Sequence, residues 1–154
     1  MILRTLRSPA LRQALLRPST LPRHTISPSQ LRFLTAESRK AIDQAVGSAP
    51  VVLFMKGTPE TPQCGFSRAT IEILGMQGVD PSKFAAFNVL EDATLRNDIK
   101  EYSEWPTIPQ LYVNGEFVGG CDIMVSMHGD GSLAKMLEDK GVLAEEEKGD
   151  APTS

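Results

Sequence analysis

The chain has 154 residues, of which 41% are hydrophobic, and its 16 basic and 19 acidic side chains give a formal net charge of -3. Its two cysteines are too few for a disulfide-dense secreted scaffold, and no apolar run approaches the roughly 18 to 20 residues that span a bilayer. A tetrahedral zinc site would need both cysteines and both histidines of the chain. The composition therefore indicates one soluble globular domain.

The first 36 residues differ in charge from the rest of the chain. They hold six arginines, no lysine and no acidic residue, whereas the other ten basic and all 19 acidic residues lie in 37–154 and give that part a charge of -9. A basic, acid-free segment with leucines at helical spacing is typical of a mitochondrial transit peptide. We predict such a peptide over 1–34, a domain over 35–144, a disordered acidic tail over 145–154, and a location in the mitochondrial matrix.

The alternative interpretation of the arginine-rich segment is a basic tail that binds nucleic acid or acidic lipid. Targeting is favoured because lysine is absent and the arginines are spaced apart rather than clustered. We therefore expect neither a nucleic-acid partner nor a membrane partner.

Helix and strand signals alternate along the remaining chain. Residues 51–55 form an apolar run typical of a strand buried on both faces, and Asn114-Gly115 predicts a two-residue type I′ hairpin. The predicted elements in chain order are a helix at 38–46, a strand at 51–55, a helix at 67–76, a strand at 83–89, a helix at 92–102, strands at 111–113 and 116–118, and helices at 123–127 and 133–140.

This order predicts an α/β fold with a four-stranded mixed sheet flanked by helices. The strand–helix–strand unit requires parallel pairing, whereas the hairpin requires antiparallel pairing. The expected architecture is thioredoxin-like, which by itself does not establish a function.

Cys64 follows the first predicted strand and a loop rich in glycine, proline and threonine at 57–63. It stands where the next helix opens, so unpaired backbone N–H groups and the helix dipole can stabilise its thiolate. Lys56 adds a positive charge if the loop folds back. A free cysteine is more often a small buried hydrophobe, but this loop position favours a reactive thiol.

The stretch Cys64-Gly65-Phe66-Ser67 resembles the signature of the monothiol glutaredoxins. The blocks FMKG at 54–57, WPTIPQ at 105–110 and NGEFVGGCD at 114–122 are similar to that family as well. The resemblance covers essentially all of 37–142. Together with the transit-like start, it is closest in kind to the mitochondrial single-domain members of the family.

Ser67 occupies the position at which dithiol redox proteins carry a second, resolving cysteine. A hydroxyl cannot form a disulfide, so resolution of a mixed disulfide within this loop is closed. A monothiol route through glutathione and ligation of iron by the thiolate both stay open. Iron–sulfur clusters normally take four thiolates. The resemblance implies a homodimer that holds a 2Fe-2S cluster with Cys64 of each copy and one glutathione bound to each.

The implied function is transfer of this cluster to recipient proteins in mitochondrial iron–sulfur cluster biogenesis. The resemblance also implies BolA-like proteins and the iron–sulfur scaffold with its Hsp70-type chaperone as partners, alongside recipient apoproteins. The alternative is a glutathione-dependent thiol-disulfide oxidoreductase that uses Cys64. The family members with serine at this place are poor at that reaction, so we expect at most weak enzymatic activity.

The resemblance further implies a glutathione site with contacts to both ends of the tripeptide. Lys56 and Arg96 are expected to contact the glycine carboxylate, although Arg96 otherwise fits a solvated helix face. The N–H groups of Cys121 and Asp122 can hold the γ-glutamyl carboxylate at a helix start. Asp122 alternatively is a plain helix N-cap, and both roles can coexist.

Thr107 and Ile108 are expected to contact the middle of glutathione. A cis peptide bond before Pro109 would turn the backbone of Ile108 outward, where its N–H and C=O can pair with the cysteinyl backbone as an added strand. Without the resemblance, Pro106 and Pro109 are ordinary loop residues.

The side chain of Cys121 has three open roles. It can be a bystander beside the glutathione site, a reversible disulfide partner of Cys64, or a cluster ligand, of which the last is the least favoured. Sequence separation says nothing of the distance that a disulfide requires.

Overall fold

The computed structural model describes residues 34–145. The predicted transit peptide and acidic tail therefore lie almost wholly outside the described residues. Within them, the predicted order of elements is confirmed. The helices are α1 (Ala36–Val46), α2 (Gly65–Gln77), α3 (Ala93–Ser103), α4 (Cys121–Asp130) and α5 (Ser132–Asp139); the strands are β1 (Val51–Met55), β2 (Phe84–Asn88), β3 (Gln110–Val113) and β4 (Glu116–Gly119).

The four strands form one mixed sheet in the order β2-β1-β3-β4. β1 pairs in parallel with β2 and antiparallel with β3, and β3 pairs antiparallel with β4. Asn114 and Gly115 join β3 to β4 with φ angles of 50° and 80°, as a type I′ turn requires. The predicted thioredoxin-like arrangement is thus present.

The central strand β1 is buried at every position, as its uninterrupted apolar run predicts. Its alternate side chains face two separate hydrophobic clusters because successive residues of a strand point to opposite faces. Val51, Leu53 and Met55 join the cluster under α2, α4 and α5, whereas Val52 and Phe54 join the cluster under α1 and α3. The sheet is therefore covered on both faces.

The loops that follow β1 and precede β3 project from neighbouring positions of the sheet. Phe54 pairs with Gln110 of β3, and Met55 pairs with Asn88 of β2. The carboxyl end of β1 is consequently flanked by the end of β2 and the start of β3. Open α/β sheets bind ligands at this kind of edge.

The C-terminal residues of the described chain pack back on the turn after α2. Val79 and Leu143 form an antiparallel bridge, and the Asp80 N–H donates to the Val142 carbonyl at 3.0 Å.

Among residues 34–145, no helix combines the length and apolar character that crossing a membrane requires.

Candidate functional site

Cys64 is the N-cap of α2, as its position between loop and helix predicts. Its backbone is extended, with φ of -147° and ψ of 156°, and its half-buried side chain lies over the first turn of the helix. The Ser67 N–H donates to the Cys64 sulfur at 3.3 Å. A sulfur in this place receives a helix N–H that otherwise has no intrahelical acceptor.

Ser67 connects this sulfur to the end of β1. Its side chain is fully buried, its Oγ lies 3.3 Å from the Cys64 sulfur, and it accepts a hydrogen bond from the Lys56 N–H at 3.1 Å. The thiol donates to the hydroxyl in the neutral state. When Cys64 ionises, the hydroxyl proton can turn toward the sulfur while the Lys56 N–H still satisfies the oxygen.

These contacts favour the thiolate. Partial burial raises the pKa of the Cys64 thiol, but the Ser67 hydroxyl, the N–H groups of Ser67 and Phe66, and the positive charge of Lys56 together outweigh it. The net effect is a Cys64 pKa below its ordinary value. The predicted contribution of Lys56 is therefore present.

The loop before Cys64 folds back on the strand end. The Gln63 N–H donates to the Lys56 carbonyl at 2.9 Å, and the Gly57 N–H donates to Asn88 Oδ1 at 2.9 Å. Gly57 has a φ of 89°, and a Cβ there would lie 2.5 Å from the Thr61 carbonyl oxygen. Only glycine fits this position, which brings Lys56 and Cys64 to the same edge of the sheet.

Beside Cys64 lies a cavity of about 280 Å³. It is lined by Lys56, Phe66, Lys100, the loop 105–109 and residues 120–122. Cys64 itself is not among the lining residues, but Phe66 lies two positions beyond it. Both cationic and apolar groups therefore face one cavity near the start of α2, the helix that Cys64 caps.

Five of the seven residues that the sequence singles out line this cavity: Lys56, Thr107, Ile108, Cys121 and Asp122. The Ile108–Pro109 peptide bond is cis, as the family resemblance implies. Cys121 is half-buried and is the first residue of α4, whose N-cap is Gly120. Each of the two cysteines thus stands at a helix start, Cys64 as the N-cap of α2 and Cys121 as the first residue of α4.

Arg96 is an exposed residue of α3 and is not among the residues that line the cavity. Lys100, four positions later, does line it and was not predicted. Residues separated by four share one face of a helix. The four-residue spacing from Arg96 is therefore the feature of the sequence that indicates Lys100 as a second candidate for the site.

Trp105, the first residue of the loop 105–109, packs against Phe117 of β4 and against Gly120, the N-cap of α4. Its ring lies 5.7 Å from that of Phe117, and its Nε1 faces Gly120, where a Cβ would lie only 2.9 Å away. The close approach requires a residue without a side chain at position 120. The N-terminus of α4 can therefore reach the cavity wall formed by Trp105.

Comparisons with known proteins relate this chain to glutaredoxins. A profile described as Glutaredoxin matches residues 51–118. The Lachancea kluyveri protein named monothiol glutaredoxin-5, mitochondrial, is 65% identical over 136 residues, which cover 88% of this chain and 94% of that protein. The Saccharomyces cerevisiae protein of the same name is 62% identical over 134 residues, which cover 87% of each.

This chain belongs to the monothiol glutaredoxin family. The resemblance predicted from Cys64-Gly65-Phe66-Ser67 is confirmed. The solution structure of a monomeric truncated mutant of Trypanosoma brucei 1-C-Grx1 superposes with a TM-score of 0.61 at 44% identity, covering 70% of this chain and 96% of that one. The mitochondrial names of both fungal relatives support a mitochondrial location for this glutaredoxin.

Proposed function

We propose that this monothiol glutaredoxin binds glutathione beside Cys64 and carries a 2Fe-2S cluster held between two copies of the chain. The cargo is passed to recipient proteins in the mitochondrial matrix during iron–sulfur cluster biogenesis. Cys64 of each copy and the thiol of each bound glutathione supply the four ligands. The proposal rests on the family and on the following properties of the site.

The observation that carries the proposal is a single activated thiol with a buried hydroxyl in the place of a second one. Ser67 lies 3.3 Å from the Cys64 sulfur and cannot form a disulfide with it. Among residues 34–145, no three His, Cys, Asp or Glu side chains form a group suited to a metal ion. The chain has two cysteines, so a four-thiolate cluster needs ligands from outside one chain, which a second copy and two glutathiones provide.

The cationic end of the cavity suits the glycine carboxylate of glutathione. Lys56 and Lys100 both line the cavity, and ammonium groups attract a carboxylate as point charges. Arg96 lies one helical turn before Lys100, so we propose that its long side chain reaches the same carboxylate from the rim. Its planar guanidinium can engage both carboxylate oxygens.

Groups that suit the other parts of the tripeptide line the rest of the cavity. We propose that the Ile108 backbone pairs with the cysteinyl residue as an added strand, with Thr107 beside it. The N–H groups of Cys121 and Asp122 at the start of α4 suit the γ-glutamyl carboxylate, and the Asp122 carboxylate suits its amine. This orientation directs the glutathione thiol toward Cys64.

The proposed partners follow from the role of a carrier. They are a scaffold with its Hsp70-type chaperone as the source of the cluster, recipient apoproteins as its destination, and BolA-like proteins in heterocomplexes. A thiol from a diffusible tripeptide is an exchangeable ligand, which suits transfer of the cluster better than storage.

A second candidate function is favoured by the lowered pKa of Cys64. In a glutathione-dependent oxidoreductase, the Cys64 thiolate would attack the glutathione sulfur of a mixed disulfide and release the substrate as a thiolate. A second glutathione thiolate would then attack the Cys64–glutathione disulfide. The products are oxidised glutathione and the regenerated Cys64 thiolate.

Anaerobic reconstitution separates the two functions. The chain is incubated with ferrous iron, sulfide and glutathione, and visible absorption and oligomeric state are measured together. We expect a coloured dimer that is lost in Cys64→Ser and kept in Cys121→Ser, which is a matched control at the other cysteine. A colourless monomer with rapid deglutathionylation would instead favour the oxidoreductase.

The glutathione site has its own test. Lys56→Glu reverses a charge at the cavity, so glutathione affinity measured by calorimetry should fall by at least roughly tenfold. Arg96→Gln should produce a smaller loss, because Arg96 lies outside the cavity lining. Affinity equal to wild type in Lys56→Glu would remove this lysine from the site.

A further inference from the structure

We propose that Gln110 is a positioning residue that holds the backbone of the loop 105–109 in its ligand-binding shape. The inference rests on the proposed function, because the ligand concerned is the glutathione placed beside Cys64. Gln110 does not line the cavity and would act only through the loop.

The side chain of Gln110 joins the start of β3 to the loop. Gln110 is the first residue of β3, pairs with Phe54 of β1 and is fully buried. Its Nε2 donates to the Trp105 carbonyl at 3.0 Å and to the Thr107 carbonyl at 3.1 Å. Both amide protons are therefore used to fix carbonyls on either side of Pro106.

The amide can hold the loop in only one orientation. Two carbonyl oxygens require two donors, which the NH₂ group supplies and the amide oxygen does not. That oxygen is buried and has no hydrogen-bond partner within residues 34–145. A buried amide with one end unpaired stabilises a fold less well than a fitting apolar side chain, so its presence fits a positional role.

The start of the loop is also held by the Trp105 N–H, which donates to the Lys100 carbonyl at 3.1 Å and to Ser103 Oγ at 3.2 Å, but these bonds do not reach beyond Trp105. Pro106 and Pro109 lack an N–H, and in the described part of the chain no other donor reaches the Trp105 or Thr107 carbonyl. The same loop forms one wall of the cavity. The Ile108 backbone, which is proposed to pair with glutathione, directly follows the second fixed carbonyl.

Loss of these two hydrogen bonds should loosen the loop and leave two carbonyls without their donor. Ordering the loop would then become part of the cost of binding. We expect glutathione affinity to fall by roughly tenfold or more, because a free loop no longer presents Ile108 in a fixed geometry.

The test uses the full chain with Gln110→Met, which keeps the size of the side chain and removes both donors. Backbone order parameters of the Thr107 and Ile108 amides, measured without glutathione, should fall from about 0.85 to below about 0.6. The control is Val113→Ala, which weakens the core on the same strand three residues away. It should lower stability but leave these order parameters and the glutathione affinity unchanged.

Gln110→Glu provides a second variant of the same shape. Its neutral carboxyl keeps one donor, whereas the ionised form has none and would repel both carbonyls. Relative to wild type at the same pH, its glutathione affinity should therefore be lower at pH 8 than at pH 5.5. A variant that was merely misfolded would not show this recovery.

Unchanged order parameters in Gln110→Met would overturn the inference, as would a loosened loop with wild-type glutathione affinity. Failure of the proposed function has a different signature. In that case the wild-type chain binds no glutathione, and the order parameters alone decide whether Gln110 holds the loop.

Discussion

Replacing Gly120 with alanine tests how the wall of the cavity is built. Gly120 is buried, and its φ of -93° is open to any residue, so the change adds no backbone strain. The added Cβ would lie 2.9 Å from Trp105 Nε1 and 3.3 Å from the Pro109 carbonyl oxygen. Ordinary contacts begin near 3.4 Å, so the rigid indole must withdraw by about 0.5 Å.

Overpacking of this kind lowers the free energy of unfolding by about 1–3 kcal/mol, and alanine is also a poorer helix N-cap than glycine. With a urea dependence of about 1–3 kcal/mol per molar for a domain of this size, the unfolding midpoint should fall by about 1 M. Displacement of Trp105 also shifts the loop 105–109. We therefore expect weaker glutathione binding in the same variant.

Urea denaturation and calorimetry with glutathione measure both effects. Gly129→Ala is the matched control, because Gly129 lies in the same helix and a Cβ there meets nothing within 4 Å. It should stabilise the protein by about 0.5 kcal/mol, since alanine favours the helix. A wild-type midpoint together with wild-type affinity in Gly120→Ala would refute the reasoning.

Three further predictions concern Cys64 and its loop. Ser67→Ala removes a hydrogen-bond donor to the thiolate and should raise the pKa of Cys64, moving the pH–rate profile of its alkylation by iodoacetamide to higher pH; an unmoved profile would contradict this role. The folded state holds the Cys64 pKa below the ordinary 9.0, so the ionised thiol adds stability. The stability advantage of wild type over Cys64→Ala should be complete above about pH 9 and decline as pH falls through the folded-state pKa; urea titrations showing a constant difference would disprove it. Gly57→Ala places a Cβ 2.5 Å from the Thr61 carbonyl oxygen at a residue with a φ of 89°, and should lower the free energy of unfolding by about 2–4 kcal/mol. A urea midpoint equal to that of wild type would count against that geometry.

The fold was predictable because its strongest signals are local. The apolar run of β1 and the Asn114-Gly115 turn determine the buried strand and the hairpin without knowledge of tertiary contacts. Element ends were less predictable because caps decide them. α1 begins at Ala36, two residues before the predicted start, since the Thr35 hydroxyl accepts the Ser38 N–H.

The candidate site was predictable where family resemblance marked its residues, and less so where only tertiary structure joins them. Lys100 had no motif of its own, and its place at the cavity depends on how α3 packs on the sheet. Gln110 stood inside a matched block, but nothing in the sequence indicated that its amide turns back to two carbonyls. Hydrogen bonds from a strand to a loop leave no periodic pattern.

The position of β1 explains why two amide side chains support this site. Its last two residues pair with Asn88 on one side and with Gln110 on the other. Asn88 accepts the Gly57 N–H and so holds the loop that leads to Cys64, whereas Gln110 donates to the loop that forms the opposite wall. The loop before Cys64 also pairs with itself, since the Gln63 N–H donates to the Lys56 carbonyl, whereas Pro106 and Pro109 offer no N–H and the loop 105–109 depends more on the Gln110 side chain. The Cys64 thiol and the cavity wall are thereby held in fixed positions relative to the same buried strand, β1.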